Sequence, residues 1–182
     1  MNATLKRRLR PVLLVVLLAV FGVAVWHIVT QLLTEKADGD RFAALASRVQ
    51  QAAAEPAADG PLADYAALAA ENPDLFGWIR IDGTPVNYPV MFTPTDPEHY
   101  LHRAFDGSQS AAGCLFIDAA CPPDGPFYLL YGHHMKNGSM FGTLPRYADG
   151  DYLREHATVY FDTLTQRRTY QVMAAFPRKS LA

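Results

Sequence analysis

The sequence predicts a mainly β domain, a barrel or sandwich of short strands, carried behind one membrane-spanning helix. Three observations predict it. Apolar residues run almost unbroken from Pro11 to Leu33. After Pro73 the chain breaks into short β-prone runs separated by turn residues. Asp82-Gly83 sits between two of these runs, a strong hairpin signal. Many short strands with few helices argue against an alternating α/β sheet.

The run from Pro11 to Leu33 is interrupted only by His27, Thr30 and Gln31. As a helix it is about 34 Å long, enough for a hydrocarbon core of about 30 Å. Lys6, Arg7, Arg8 and Arg10 precede it, and Glu35, Lys36, Asp38 and Asp40 follow. The positive-inside rule therefore predicts residues 1–10 as a cytoplasmic basic segment, 11–33 as the anchor, and the rest outside the cell membrane. A cleaved signal peptide fits less well, because its apolar core is shorter and a small-residue cleavage site follows it.

Residues 34–60 are rich in alanine and charge and are expected to be a helical stalk or linker. Phe42, Leu45 and Val49 at helical spacing predict a helix over Asp40–Glu55. Pro56 and Gly60-Pro61 break it. A second helix is expected from Pro61, a favoured first-turn residue, to near Asn72, docking on the domain that occupies 61–182. Strands are expected at Phe76–Ile81, Val86–Met91, Gly113–Asp118 and Phe127–Tyr131. A further hairpin is expected at Thr158–Phe161 and Thr169–Phe176. Pro89 predicts an edge or bulge for the second strand. Ser139–Arg146 and Asp149–His156 read as short helices or turns.

The formal net charge is −2, so no polyanionic partner is implied and no nucleic-acid module is recognised. The two cysteines, Cys114 and Cys121, do not make a disulfide scaffold, although a bridge is permitted outside the cell. Cys114 lies in an apolar strand and is expected to be a buried small hydrophobe. Cys121, in the loop before Pro122-Pro123, is expected to be exposed. His133 and His134 follow the run Phe127–Tyr131, which places an imidazole at the rim of a sheet. Imidazole is the default acid or base near neutral pH.

Tyr131-Gly132-His133-His134, followed by Asn137-Gly138-Ser139-Met140-Phe141-Gly142, resembles the histidine motif of class B sortases, membrane-anchored cysteine transpeptidases of Gram-positive bacteria. Asn72–Ile79, Gly83–Val90, Tyr100-Leu101, Phe105-Asp106-Gly107, Ser110 and Gly113–Asp118 resemble that family's segments in the same order. The resemblance implies a sortase β-barrel, normally eight-stranded, with N-terminal helices packed on it. It implies that a cysteine thiolate attacks a threonyl carbonyl in the sorting signal of a secreted protein. An amine of a cell-wall precursor or pilin then resolves the thioester. His133 matches the catalytic histidine, and His134 the second histidine, a supporting residue. Tyr100 and Leu101 are candidates for the peptide groove. No cofactor is implied.

The family's Thr-Leu-x-Thr-Cys motif, and the arginine on the strand after it, have no counterpart up to Ala182. Arg178 and Lys179 do not match that arginine's context. The chain is therefore expected to be a truncated sortase whose barrel lacks its closing strands and which is inactive alone. Two other classes stay open. One is a non-catalytic, membrane-anchored peptide-binding domain. The other is a metal site drawing on His99, His102, His133, His134 or Cys121, although adjacent histidines on a strand point to opposite faces.

Overall fold

Asp82-Gly83 turns the chain between its first two strands as expected. In the computed structural model, which describes residues 3–54 and 62–176, β1 (Leu75–Arg80) pairs antiparallel with β2 (Asn87–Met91). Gly83 has φ +73°, and a Cβ there would strike the His156 ring. The turn is closed by the Ile81 N–H donating to the Val86 carbonyl at 2.9 Å.

The remaining strands add on both sides. β3 (Leu115–Ile117) runs parallel to β2, and β4 (Leu130–Tyr131) runs antiparallel to β3. β5 (Thr158–Thr163) pairs with β1, and β6 (Arg167–Gln171) pairs with β5. The six-stranded order is β4-β3-β2-β1-β5-β6. The sheet is open: among the described residues no strand pairs with the outer edge of β4 or of β6.

Pro89 does not mark an edge, because β2 lies between β1 and β3, but the β1–β2 register does slip close by, between Leu75 and Gly77. Pro89 faces Trp78, and the ladder to β3 begins only at Val90, so the missing N–H breaks no bond there. Several strands are shorter than expected. The Phe127–Tyr131 run contributes only Leu130 and Tyr131, because Tyr128 turns aside and its hydroxyl donates to the Pro123 carbonyl at 2.7 Å. Past Gln171 the Val172 N–H still donates to the Ala157 carbonyl, and Met173 is exposed.

Helix α1 (Ala3–Ala54) runs unbroken through the expected anchor and the expected stalk. Residues Met1–Ala37 form one compact unit and Asp38–Ala182 another. Val12–Ala52 includes a window of mean hydropathy 2.8, long and apolar enough to cross a membrane. The stretch read as a stalk carries core residues. Phe42 is buried with its ring edge-on to Tyr88 at 5.2 Å, and Leu45, Ala46 and Val49 pack beside it. The alanine-rich composition hides this, since only one large apolar residue per turn faces the sheet. Pro56, Gly60 and Pro61, the expected breakers, lie outside the described residues.

Helix α2 (Leu62–Glu71) docks as expected, with Tyr65 and Leu68 buried and the Tyr65 ring stacked on Trp78. The Tyr65 hydroxyl donates to Asp162 at 2.7 Å, tying the helix to β5. Glu71 forms an ion pair with Arg48 of α1. Helix α3 (Gly150–Glu155) starts at Asp149, whose carboxylate accepts the N–H groups of Asp151 and Tyr152.

Candidate active site

The site is built at the end of β4. Gly132 follows Tyr131 where a Cβ would overlap the fully buried Leu115 side chain and press on Phe141. Only glycine lets the strand end lie this close to β3. The next residue, His133, faces a cleft of about 460 Å³ lined by Leu101, Phe116, Tyr131 and, at its rim, Glu98 and Asp118. His134 faces the other way, into a trough of about 580 Å³ lined by Ile79, Phe141, Val159 and Phe176. The opposite facing expected of adjacent strand residues is therefore what the two cavities record.

The loop after the histidines is held tightly. Asn137 accepts the Ser139 N–H at 3.0 Å, and Gly138 takes φ +83°. Met140 is fully buried at φ +52°, and its N–H donates to the Tyr88 hydroxyl at 3.0 Å. The Phe141 N–H then donates to the His133 carbonyl at 3.0 Å. The Asn-Gly-Ser-Met-Phe-Gly segment thus folds back on the histidine strand and fixes its end.

The His133 imidazole is pushed below the ordinary histidine range. Burial is the main cause, and the neighbouring His102 ring adds to it, while an interaction with the Ala112 backbone opposes both. The two rings lie 5.3 Å apart between centroids. His102, named from the sequence only as a possible metal ligand, therefore packs against the site histidine. His99 instead has its Nδ1 3.0 Å from Asp96. Both histidines belong to the 3₁₀ turn His99–His102.

Of the two groove candidates, Leu101 lines the cleft and Tyr100 does not. Tyr100 is buried, its hydroxyl donates to Asp74 at 2.9 Å and accepts from Asn72 at 2.8 Å, and its pKa is pushed to about 12. Tyr100 is a core anchor for the segment that presents Leu101 and His102. Phe116 and Tyr131, which sequence reasoning did not single out, supply aromatic walls with ring centroids 5.5 Å apart.

Both cysteines are free and buried. Cys114 is 1% exposed, and burial drives its thiol well above the ordinary range. Cys121 is also buried, not exposed as its proline-rich loop suggested. Its sulfur lies 3.4 Å from the Leu129 N–H, which draws it inward. Neither thiol is presented to the cleft. Among the described residues no group of three His, Cys, Asp or Glu side chains is arranged to hold a metal ion. Arg178 and Lys179 lie outside the described residues.

No protein-family model matches the chain. Sortase B of Listeria monocytogenes is 31% identical over 107 residues, 58% of this chain and 43% of that protein. Sortase B of Staphylococcus aureus is 27% identical over 167 residues, 91% of this chain and 66% of that protein. The chain thus spans less than two thirds of the length of either relative. The solved Staphylococcus aureus sortase B–substrate complex superposes with a TM-score of 0.70 at 25% identity, covering 76% of this chain and 64% of that one. In both sequence and fold the chain is similar to class B sortases.

Proposed function

We propose that this chain carries the histidine side of a sortase-type transpeptidase site, with His133 as the proton donor to the leaving amine. The observation that carries the reading is the half-buried His133 ring at a strand end. It faces an aromatic-walled cleft in a chain similar to class B sortases. The cleft suits an extended peptide, and the substrate class we assign is the sorting signal of a secreted surface protein. The Staphylococcus aureus relative has been solved with a substrate, and a sortase B has been solved with triglycine, which supports a peptide donor and an amine acceptor. The acceptor we assign is an amine of a cell-wall precursor or pilin.

The reaction needs a thiolate nucleophile and an oxyanion donor besides the acid. Buried Cys114 and Cys121 are unsuited to the first role. We assign the thiolate and an arginine donor to strands that pair onto the open sheet beside β4. A thiolate brought next to His133 would raise the ring's pKa, since an opposite charge favours the protonated form. Completing the site would therefore also charge the acid. In this reading residues 1–10 are cytoplasmic, 11–33 cross the membrane once, and the domain from Asp38 onward works outside.

A second reading, a membrane-anchored peptide-binding domain without catalysis, is favoured by the seclusion of both thiols. One experiment separates the two. The chain is extended with the cysteine and arginine strands of a related sortase, and cleavage and amine transfer of a sorting-signal peptide are followed by mass spectrometry. Transfer by the extended chain, with none by the 182 residues alone, supports the first reading. Peptide binding without transfer in both supports the second. Turnover by the unextended chain that is lost in Cys121→Ala refutes the assignment of the nucleophile to added strands.

A further inference from the structure

We propose that Asp38 of helix α1 is a positioning residue for His133, acting through the turn Ser110–Gly113. A carboxylate in mid-helix ordinarily faces water, because burying its charge is costly unless it is paired and hydrogen-bonded. Asp38 is 3% exposed. One of its oxygens, Oδ2, accepts the Ala111 N–H at 3.1 Å and the Ala112 N–H at 3.4 Å. The other, Oδ1, pairs with Arg41 at 3.5 Å. The buried charge is thus directed at two backbone donors of one turn.

That turn touches the site twice. The Ala112 backbone acts on the His133 ring in the direction that favours its protonated form, against the effect of burial. The Ser110 N–H donates to the carbonyl of His102, whose ring packs on His133. Ser110, also buried, gathers the Ala112 and Gly113 N–H groups on its hydroxyl. Gly113, at φ +61°, lets the turn lie against the carbonyls of Tyr100 and Leu101. Asp38 therefore ties α1 to the turn that is hydrogen-bonded to the His102 backbone, and the His102 ring packs on His133. Its role is to hold the Ala112 backbone where it selects one orientation and one neutral tautomer of His133.

The proposal rests on His133 being the acid of the proposed reaction, but its test does not use activity. The full chain, solubilised in detergent and labelled with ¹⁵N-histidine, is observed by long-range ¹H–¹⁵N spectra above the histidine titration range. The charged and titratable groups facing His133 are His102, Glu98, Asp118 and Tyr131, and none of them is changed. In the unsubstituted chain one tautomer of His133 should dominate. In Asp38→Ala the separation of its two ring-nitrogen shifts should fall by half or more as the tautomers mix. The signals of His99 and His156 should stay in place. Asp38→Asn keeps one acceptor and should change His133 in the same direction but less. His133 signals that move no more than those of His99 in Asp38→Ala overturn the proposal. If that variant loses its dispersed amide spectrum, the same outcome in Asp38→Asn overturns it. Failure of the extended chain to transfer peptide would refute the proposed function and leave this coupling standing.

Discussion

Removing a single oxygen from Tyr88 tests how the histidine strand is held. Tyr88 is 5% exposed, and its hydroxyl accepts the N–H of Met140, which is fully buried at φ +52°. Tyr88→Phe keeps the ring against Phe42 and opens no cavity, so the loss is the hydrogen bond and the Met140 N–H left without its partner. A buried donor left unpaired costs about 1–3 kcal/mol. A left-handed conformation at a non-glycine residue adds strain that this bond helps to hold. For a domain of this size each kcal/mol is worth about 2–4 °C, so the midpoint should fall by about 2–12 °C. The assay is thermal unfolding of the detergent-solubilised chain followed by near-ultraviolet circular dichroism, with amide exchange of Met140 and Phe141. Exchange at both should accelerate, because the Phe141 N–H donates to the His133 carbonyl in the same loop. A midpoint within about a degree of the unsubstituted chain, with Met140 still protected, would refute this account of the loop.

Phe42→Ala should cost about 3–5 kcal/mol in urea unfolding, as for a core phenylalanine, where a linker residue would cost almost nothing. Burial and His102 lower the His133 pKa, so its contribution to stability is complete above about pH 6.5, the ordinary histidine value. That contribution is lost as the pH falls from there through the lower folded value, because the unfolded chain binds the proton first. An NMR titration of His133 with a midpoint at or above about 6.5 would contradict this. Gly60→Cys should react with an impermeant thiol reagent on intact cells, with little background from the buried Cys114 and Cys121. Labelling only after lysis would reverse the topology.

The sheet was legible where local chemistry decides it. Asp82-Gly83 announced the first hairpin, and the β-prone runs on either side announced its strands. The run before His133 announced the rim position of the histidine. Pro89 misled as an edge signal because a proline is tolerated in an inner strand when the neighbouring ladder starts one residue later, and that register is a tertiary fact. Phe42 and Asp38 were hidden for a related reason. In an alanine-rich helix, one aromatic and one carboxylate look like the residues of a solvated face until the sheet and the Ser110–Gly113 turn arrive to cover them. Cys121 looked exposed because its loop is rich in proline and glycine, yet the chain folds it under Leu129. His102 was paired with His99 as a possible metal ligand, and only the crossing of two distant segments sets it against His133.

The central claim is that His133, and not His134, is the acid of an acyl transfer. It is tested most directly in the chain extended with the cysteine and arginine strands of a related sortase, by measuring amine-dependent peptide transfer in His133→Ala and His134→Ala. The account predicts loss of transfer to near background in His133→Ala, since no alanine can protonate the leaving amine. It predicts a milder loss in His134→Ala, whose side chain faces the opposite trough. Transfer that survives His133→Ala and disappears in His134→Ala would contradict it.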